Sequence, residues 1–241
     1  MVPGAGVPGC RVPGCGCRGA SIMRHVLILV AVLTQTSAPQ RPELKARFIG
    51  QMAFEISDGT TTLMTDFPFQ AGYAGAPDFA PREIVAGTAD TLALITHKHP
   101  DHWEPSLFRY TKWRVLGPAD ATATAPPDRV VAMSSRVTFG SAVIEPLDTP
   151  HANIGHYSYL VTWHGRRLYF SGDTDSPDRL LATRNLDVAF VSPWLYESIN
   201  KSGRRIDARR VVIYHHRAGQ SVKTCNEGCA APRLGETLRI E

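Results

Sequence analysis

Apolar and β-branched residues in this chain come in short runs, each closed by glycine, proline or a polar cluster. Residues 46–56, the pair Asp58-Gly59 and residues 60–65 predict a β-hairpin. Asp-Gly is a favoured hairpin turn, and both flanks are apolar or β-branched. The run Thr91-Leu92-Ala93-Leu94-Ile95 predicts a short buried strand. Residues 114–116, stopped by Gly117-Pro118, predict another. Residues 130–139 and 142–147 predict a second hairpin around Gly140-Ser141, and residues 157–163 and 167–170 a third around His164-Gly165. Residues 186–191 and 211–214 complete the predicted strands. Helical pattern is sparse: a short helix over 105–112, a helix over 175–183 with Asp175 or Ser176 as N-cap, and a turn over 207–210. Residues 67–79, rich in glycine, proline and aromatics, predict a loop. Many strands with short helices between them argue for an α/β protein of two packed sheets. No internal repeat is evident, although two β-rich halves are compatible with a duplicated architecture.

The N-terminal stretch lacks this pattern. Residues 1–22 carry Val-Pro-Gly three times, at Val2, Val7 and Val12, with Cys10, Cys15 and Cys17 between them. Proline and glycine at that density form neither helix nor packed strand, so the segment is expected to be a disordered extension. Residues 23–38 have the form of a secretory signal peptide. Met23-Arg24-His25 is basic, residues 26–33 are an unbroken apolar run, and Thr36-Ser37-Ala38 offers a cleavage site. The run is far shorter than the ~20 residues that span a bilayer. The expectation is therefore a domain over 39–241, periplasmic or secreted, with no stable membrane span after signal cleavage; an uncleaved N-terminal anchor is the alternative.

Composition changes the picture little. The 241 residues suffice for one sizeable core, and the net charge is +4. The leader alone contributes Arg11, Arg18 and Arg24 and no acid, so the rest is near neutral and charge gives no argument for a nucleic-acid partner. The one basic patch, Arg204, Arg205, Arg209 and Arg210, reads as a solvated face. Beyond the leader only Cys225 and Cys229 remain. No further ligands lie near them for a metal site, so a short-loop disulfide is the expected role, with two free thiols as the alternative.

The chemistry concentrates at His97-Lys98-His99-Pro100-Asp101-His102, written H-x-H-x-D-H, directly after the run 91–95. Residues i and i+2 of an extended chain point the same way, so His97 and His99 can aim at one point. Pro100 suits the first position of a helical turn, which would swing Asp101 and His102 to a neighbouring point. Two adjacent metal positions follow, with imidazole and carboxylate donors that suit zinc and related first-row ions. Three later points offer more donors, each where a predicted strand gives way to a loop: Thr149-Pro150-His151, Ser171-Gly172-Asp173-Thr174-Asp175 and His215-His216.

This ordered set resembles the metallo-β-lactamase fold superfamily, over about residues 46–216. Tyr169-Phe170-Ser171-Gly172-Asp173-Thr174 and Thr149-Pro150-His151 look most like the branch of ascorbate-phosphate lactonases and N-acylphosphatidylethanolamine-hydrolysing phospholipases. The resemblance implies an αββα sandwich of two mixed β-sheets with a dinuclear centre at one edge. Carried over by position, His97, His99 and His151 hold one ion, Asp101, His102 and His215 the other, and Asp173 bridges both. The ions are expected to be zinc, with manganese or iron as alternatives. The implied activity is a metal-dependent hydrolase acting through a metal-bridging hydroxide on an ester, lactone or phosphodiester of a small molecule, with Asp101 orienting the hydroxide. A non-catalytic metal- or partner-binding module of the same fold and an iron-dependent oxidoreductase are the alternatives. Oligomeric state is left open.

Around these residues, Asp175 and Glu197 are the expected supports of the histidine ligands. His151 is preferred to His156 as the ligand, because it directly ends a strand. His156 then contacts substrate or lies solvated in its loop. His164 is expected to be solvated, and Trp113 and Trp163 to be packing residues. Tyr73, Trp103, Trp194 and Tyr196 shape a pocket or pack. Residues 217–241 contain no clear amphipathic helix, whereas members of the superfamily often close with one, so this edge of the sandwich is expected to be abbreviated.

Overall fold

The structure is a computed structural model that describes residues 41–67, 90–216, 222, 225 and 229–241. The extension and signal peptide expected over 1–38, and residues 68–79 of the expected loop with Tyr73, lie outside the described residues. The described residues belong to the unit Arg41–Glu241.

The chain begins with β1 (Leu44–Gly50), β2 (Ala53–Ser57), β3 (Thr61–Thr65), β4 (Asp90–Leu94), a 3-10 turn (Pro105–Arg109), β5 (Arg114–Leu116) and α1 (Ala119–Thr122). A second 3-10 turn (Pro127–Arg129) leads into β6 (Val137–Phe139), β7 (Ala142–Asp148), β8 (Tyr157–Trp163), β9 (Arg166–Phe170) and α2 (Asp178–Ala182). β10 (Leu186–Val191), α3 (Pro193–Lys201), β11 (Ala208–Ile213), β12 (Cys229–Ala230) and β13 (Thr237–Ile240) follow. The strands form two sheets, in the orders β13-β1-β2-β3-β4-β5 and β12-β11-β10-β9-β8-β7-β6, each with parallel and antiparallel pairs.

The two sheets face one another across a core that takes Phe48, Phe54, Ile56, Leu63 and Leu94 from the first, and Ile144, Val161, Phe170, Phe190 and Val212 from the second. Phe190 sits 4.7 Å between ring centroids from both Phe170 and Phe54, so aromatic contact bridges the sheets. Truncating such a ring to alanine costs ~3–5 kcal/mol. The outer face of the second sheet is covered by Leu180, Leu181, Leu195 and Ile199 of α2 and α3. Leu107 and Ala121 cover the outer face of the first. This is the expected four-layer αββα sandwich of two mixed sheets.

Where local structure departs from the sequence pattern, tertiary pairing explains it. The segment 46–56 breaks into β1 and β2 at Gly50 and Gln51, with φ of 134° and 54°. The halves pair with one another, Phe48 opposite Phe54. The strand expected from residue 130 starts at Val137, because Val131 donates its N–H to Val115 O of the first sheet at 2.8 Å before the chain crosses to the second. The turn expected over 207–210 is strand: β11 lies parallel to β10, with Leu186 opposite Ala208 and Val188 opposite Arg210. The helix expected from 175 begins at Asp178, after Pro177. Among its described residues the C-terminal segment adds strands, β13 beside β1 and β12 beside β11. Cys225 and Cys229 are joined as a disulfide next to β12. No helix among the described residues is long and apolar enough to cross a membrane.

One consequence of the topology positions the chemistry. β3, β4 and β5 run parallel, as do β9, β10 and β11. β7 is antiparallel to β8 and β8 to β9, so β7 shares the direction of β9. The loops leaving β3, β4, β7, β9 and β11 are therefore the C-terminal loops of co-directional strands within each sheet.

Candidate metal centre

His97 follows Ile95 and Thr96, whose backbone is fixed from both sides. Ile95 donates its N–H to Leu116 O at 2.9 Å, and Thr96 donates its N–H to Asp66 Oδ1 at 2.7 Å. After His99 the chain makes the turn predicted from Pro100: His102 and Trp103 both donate their N–H groups to His99 O at 2.9 Å. The structure thereby divides the seven candidate ligands into two groups. His97, His99 and His151 form one, and Asp101, His102, Asp173 and His215 the other, with ligand atoms within 4.8 Å of one another in each. In the first, His97 Nε2 lies 2.9 Å and His151 Nε2 3.5 Å from His99 Nδ1. In the second, Asp173 Oδ2 lies 3.2 Å from His102 Nε2 and 3.3 Å from His215 Nε2, while Asp101 Oδ2 lies 3.5 Å from His215 Nε2. The groups adjoin, since the His97 and His102 ring centroids are 3.8 Å apart.

Their electrostatics differ. Burial drives His97 and His151 away from the charged form. Burial also opposes charge on His102 and His215, but carboxylates outweigh it. Asp173 and Asp66 raise His102 to about 10. Asp101 and Asp173 raise His215 to about 9. Asp101 and Asp173 are held below the usual carboxylate range, against burial, by His215 and His102.

The donor set fits divalent ions. The first group brings imidazole nitrogens together with no carboxylate among them. In the second, Asp173 Oδ1 is buried without a hydrogen-bond partner among the described residues, and His102 Nε2 faces carboxylate oxygens, Asp173 Oδ2 at 3.2 Å and Asp101 Oδ2 at 3.7 Å. Buried polar atoms normally have a partner, and a cation held among these residues would supply it. Nitrogen and carboxylate donors in these groups suit zinc and related first-row ions.

Sequence reasoning missed the main support. Asp66, which directly follows β3, is buried, and its Oδ2 lies 3.1 Å from His102 Nδ1 and accepts from Thr96 Oγ1 at 2.8 Å. A carboxylate on the far nitrogen fixes the ring's orientation and aims Nε2 into the group. Burial raises Asp66, with His102 and Thr96 acting against that rise. The strand-end logic that picked out the other residues applies equally to Asp66. Of the supports expected instead, Glu197 pairs with Lys201 on α3 at 2.7 Å, and Asp175 is exposed.

The neighbouring histidines separate cleanly. His216 is buried against Phe48, ring centroids 4.9 Å apart, outside both groups. His215 has φ 60° and donates its N–H to Gln51 O at 2.7 Å. A non-glycine residue there costs on the order of 1–3 kcal/mol and persists only where its surroundings hold it. His156 is not solvated: it is buried and both ring nitrogens are engaged, with Nδ1 2.8 Å from Thr149 Oγ1 and Nε2 accepting the Asp173 N–H at 3.0 Å. Burial lowers it to about 3. His164 is also tied down, 2.8 Å from Asp58 Oδ2, because the hairpin turns meet there. Trp103 packs and donates to Thr124 Oγ1 at 2.9 Å, Trp163 is fully buried, and Tyr196 packs under α3. Among the described residues of that aromatic set, Trp194 reaches the two groups, its ring edge-on to His215 at 4.7 Å.

No protein-family model matches the chain. It is 29% identical over 185 residues, covering 69% of the chain and 80% of the relative, to a protein of Deinococcus radiodurans named UPF0173 metal-dependent hydrolase. Among solved structures it is similar to a metallo hydrolase of the archaeon Ignicoccus hospitalis, with TM-score 0.64 and 14% identity over 83% of this chain and 99% of that one. It is similar also to the metallo-beta-lactamase fold protein YhfI of Bacillus subtilis, with TM-score 0.60 and 13% identity over 82% and 99% of the two chains. With the four-layer sandwich and these likenesses, the chain has the metallo-β-lactamase fold and is similar to metal-dependent hydrolases.

Proposed function

We propose that the chain is a dinuclear metal-dependent hydrolase of small esters, lactones or phosphodiesters. The observation that carries this reading is the convergence of seven donors from four loops into two adjoining groups. His97, His99 and His151 would hold one divalent ion and Asp101, His102 and His215 the other, with Asp173 between them. Bound there, zinc, manganese or iron would supply Lewis acidity and a hydroxide at neutral pH.

The chain's own residues define the rest. His97 and His102 are fully buried and form the floor, whereas His99, Asp101, His151 and His215 are partly exposed and line the open face. Substrate must approach from that face. The Asp101 carboxylate would orient the attacking water and take its proton, a role supported by its contact with His215, which favours its ionised form. The Trp194 ring limits the space beside His215. The Cys225–Cys229 disulfide supports the further reading that the protein is periplasmic or secreted, since such bonds persist in oxidising compartments.

Elemental mass spectrometry of the purified protein is expected to find about two equivalents of a first-row metal. A panel of esters, lactones and bis-nitrophenyl phosphate is expected to reveal turnover that Asp101→Ala lowers by about 10²–10⁴-fold. Less than one equivalent after reconstitution, or turnover untouched by Asp101→Ala, would refute the reading.

A further inference from the structure

His156 stands behind both ligand groups and belongs to neither. Its surroundings fix which ring nitrogen carries the proton. Ser158 Oγ donates to Ser171 O at 2.7 Å, and a carbonyl oxygen can only accept. That uses the one proton of Ser158, so the 3.2 Å contact between Thr149 Oγ1 and Ser158 Oγ must be donated by Thr149. The Thr149 hydroxyl then has only acceptor capacity left. Its oxygen accepts the Ser158 N–H at 3.2 Å and the His156 Nδ1–H at 2.8 Å. His156 Nε2 is consequently bare and accepts the Asp173 N–H at 3.0 Å. Both ends of the relay independently require the same tautomer.

The relay ties together the two loops that bring His151 and Asp173. Thr149 lies two residues before His151, and Ser171 two residues before Asp173. Three successive backbone N–H groups leading to Asp173 are taken: Ser171 N–H by Phe190 O at 3.0 Å, Gly172 N–H by Tyr214 Oη at 2.6 Å, and Asp173 N–H by His156. Thr174 adds a bond from Oγ1 to Pro150 O at 2.8 Å. Gly172 permits this approach. It has φ 60°, and a Cβ there would collide with His156 Nε2.

We infer that His156 is a positioning residue, locked as its Nδ1–H tautomer by the Thr149–Ser158–Ser171 relay, which holds Asp173 in register with His102 and His215. The inference rests on the reading of the two groups as a metal centre, but its geometric half can be tested without metal.

In isotope-labelled metal-free protein, nitrogen NMR should show His156 protonated at Nδ1 and bare at Nε2, with scalar coupling across the Asp173 N–H···Nε2 bond. Zinc titration of the full chain should then show the second equivalent bound about 10–100-fold more weakly in His156→Phe, the usual cost of losing an outer support. His156→Gln, which can both accept from Asp173 and donate to Thr149, should recover most of that loss. Absence of the coupling overturns the inference, as does unchanged zinc affinity in His156→Phe or a Gln variant no better than Phe. If the parent protein took up no metal, the proposed function would fail, while the NMR result would still decide the role of His156.

Discussion

The two ligand groups adjoin, yet they are built on opposite plans. The three-histidine group has one buried member, His97, and two partly exposed ones, His99 and His151, with no carboxylate among them. The other group carries two carboxylates and two imidazoles in contact, and Asp66 completes a buried charge network behind it. One group is open and electrically simple. The other is preassembled as ion pairs and includes a residue, His215, in a strained backbone conformation. A rigid network of this kind keeps its geometry only while every member is present, because removing one leaves a buried partner uncompensated. Damage should therefore spread in the carboxylate-rich group and remain local in the three-histidine group.

The largest test of that difference is Asp173→Ala. It removes the carboxylate shared by His102 and His215, and leaves His97, His99 and His151 intact. Metal content is expected to fall from about two equivalents to about one, with hydrolysis lost. His151→Ala should also remove one equivalent, but it should leave the second ion's affinity within a few-fold of the parent's. Equal losses at both positions in either variant, read by competition with a chelator, would erase the distinction between the groups.

Asp66→Asn is the next step down. Asparagine fills the same space but cannot supply the charge opposite His102 Nδ1. The second equivalent is expected to bind about 10–100-fold more weakly, with the first unchanged. A uniform weakening of both would mean that Asp66 acts through Thr96 and the whole loop rather than through His102.

The contrast also separates what the sequence made legible from what it hid. The seven donors were readable because each is a chemically conspicuous residue at the end of an apolar run. The four members of H-x-H-x-D-H fall into the two groups along the division that their spacing suggested. Supports are harder to read, because their role depends on which loops become neighbours. Asp66 is 30 positions from Thr96, yet it binds both atoms that Thr96 can donate from. His156 reads from the sequence as either a substrate contact or a solvated loop residue, because glycine loosens the loop before it, whereas Gly155 lies packed against Pro118 and Asp120. Strands that pair locally, such as β8 with β9, were legible. β11 was not legible at its start, because Ala208, Arg209 and Arg210 are strand only by virtue of lying beside β10.

The smallest expected effect lies outside both groups and sets the zero of the comparison. Asp58 sits in the turn between β2 and β3, where Oδ1 accepts from Thr60 N–H and Thr61 N–H, both at 2.9 Å, and Oδ2 meets His164 Nε2 at 2.8 Å. Burial opposes its ionisation, but these bonds hold the carboxyl below its ordinary value of 3.8. A carboxyl depressed on folding contributes stability that is present in full above its unfolded value and is lost as pH falls through its folded one. Asp58→Ala should therefore cost about 1–3 kcal/mol at neutral pH, or about 2–4 °C of melting temperature per kcal/mol. Metal content and turnover should not change. The gap between variant and parent should stay constant from neutral pH to the ordinary carboxylate range and close in stronger acid. Thermal melts of both proteins across that range decide it. A gap that stayed open in strong acid would assign the stability to packing rather than to the ionised carboxyl, and any loss of metal would show that the turn end of the sandwich is coupled to the centre after all.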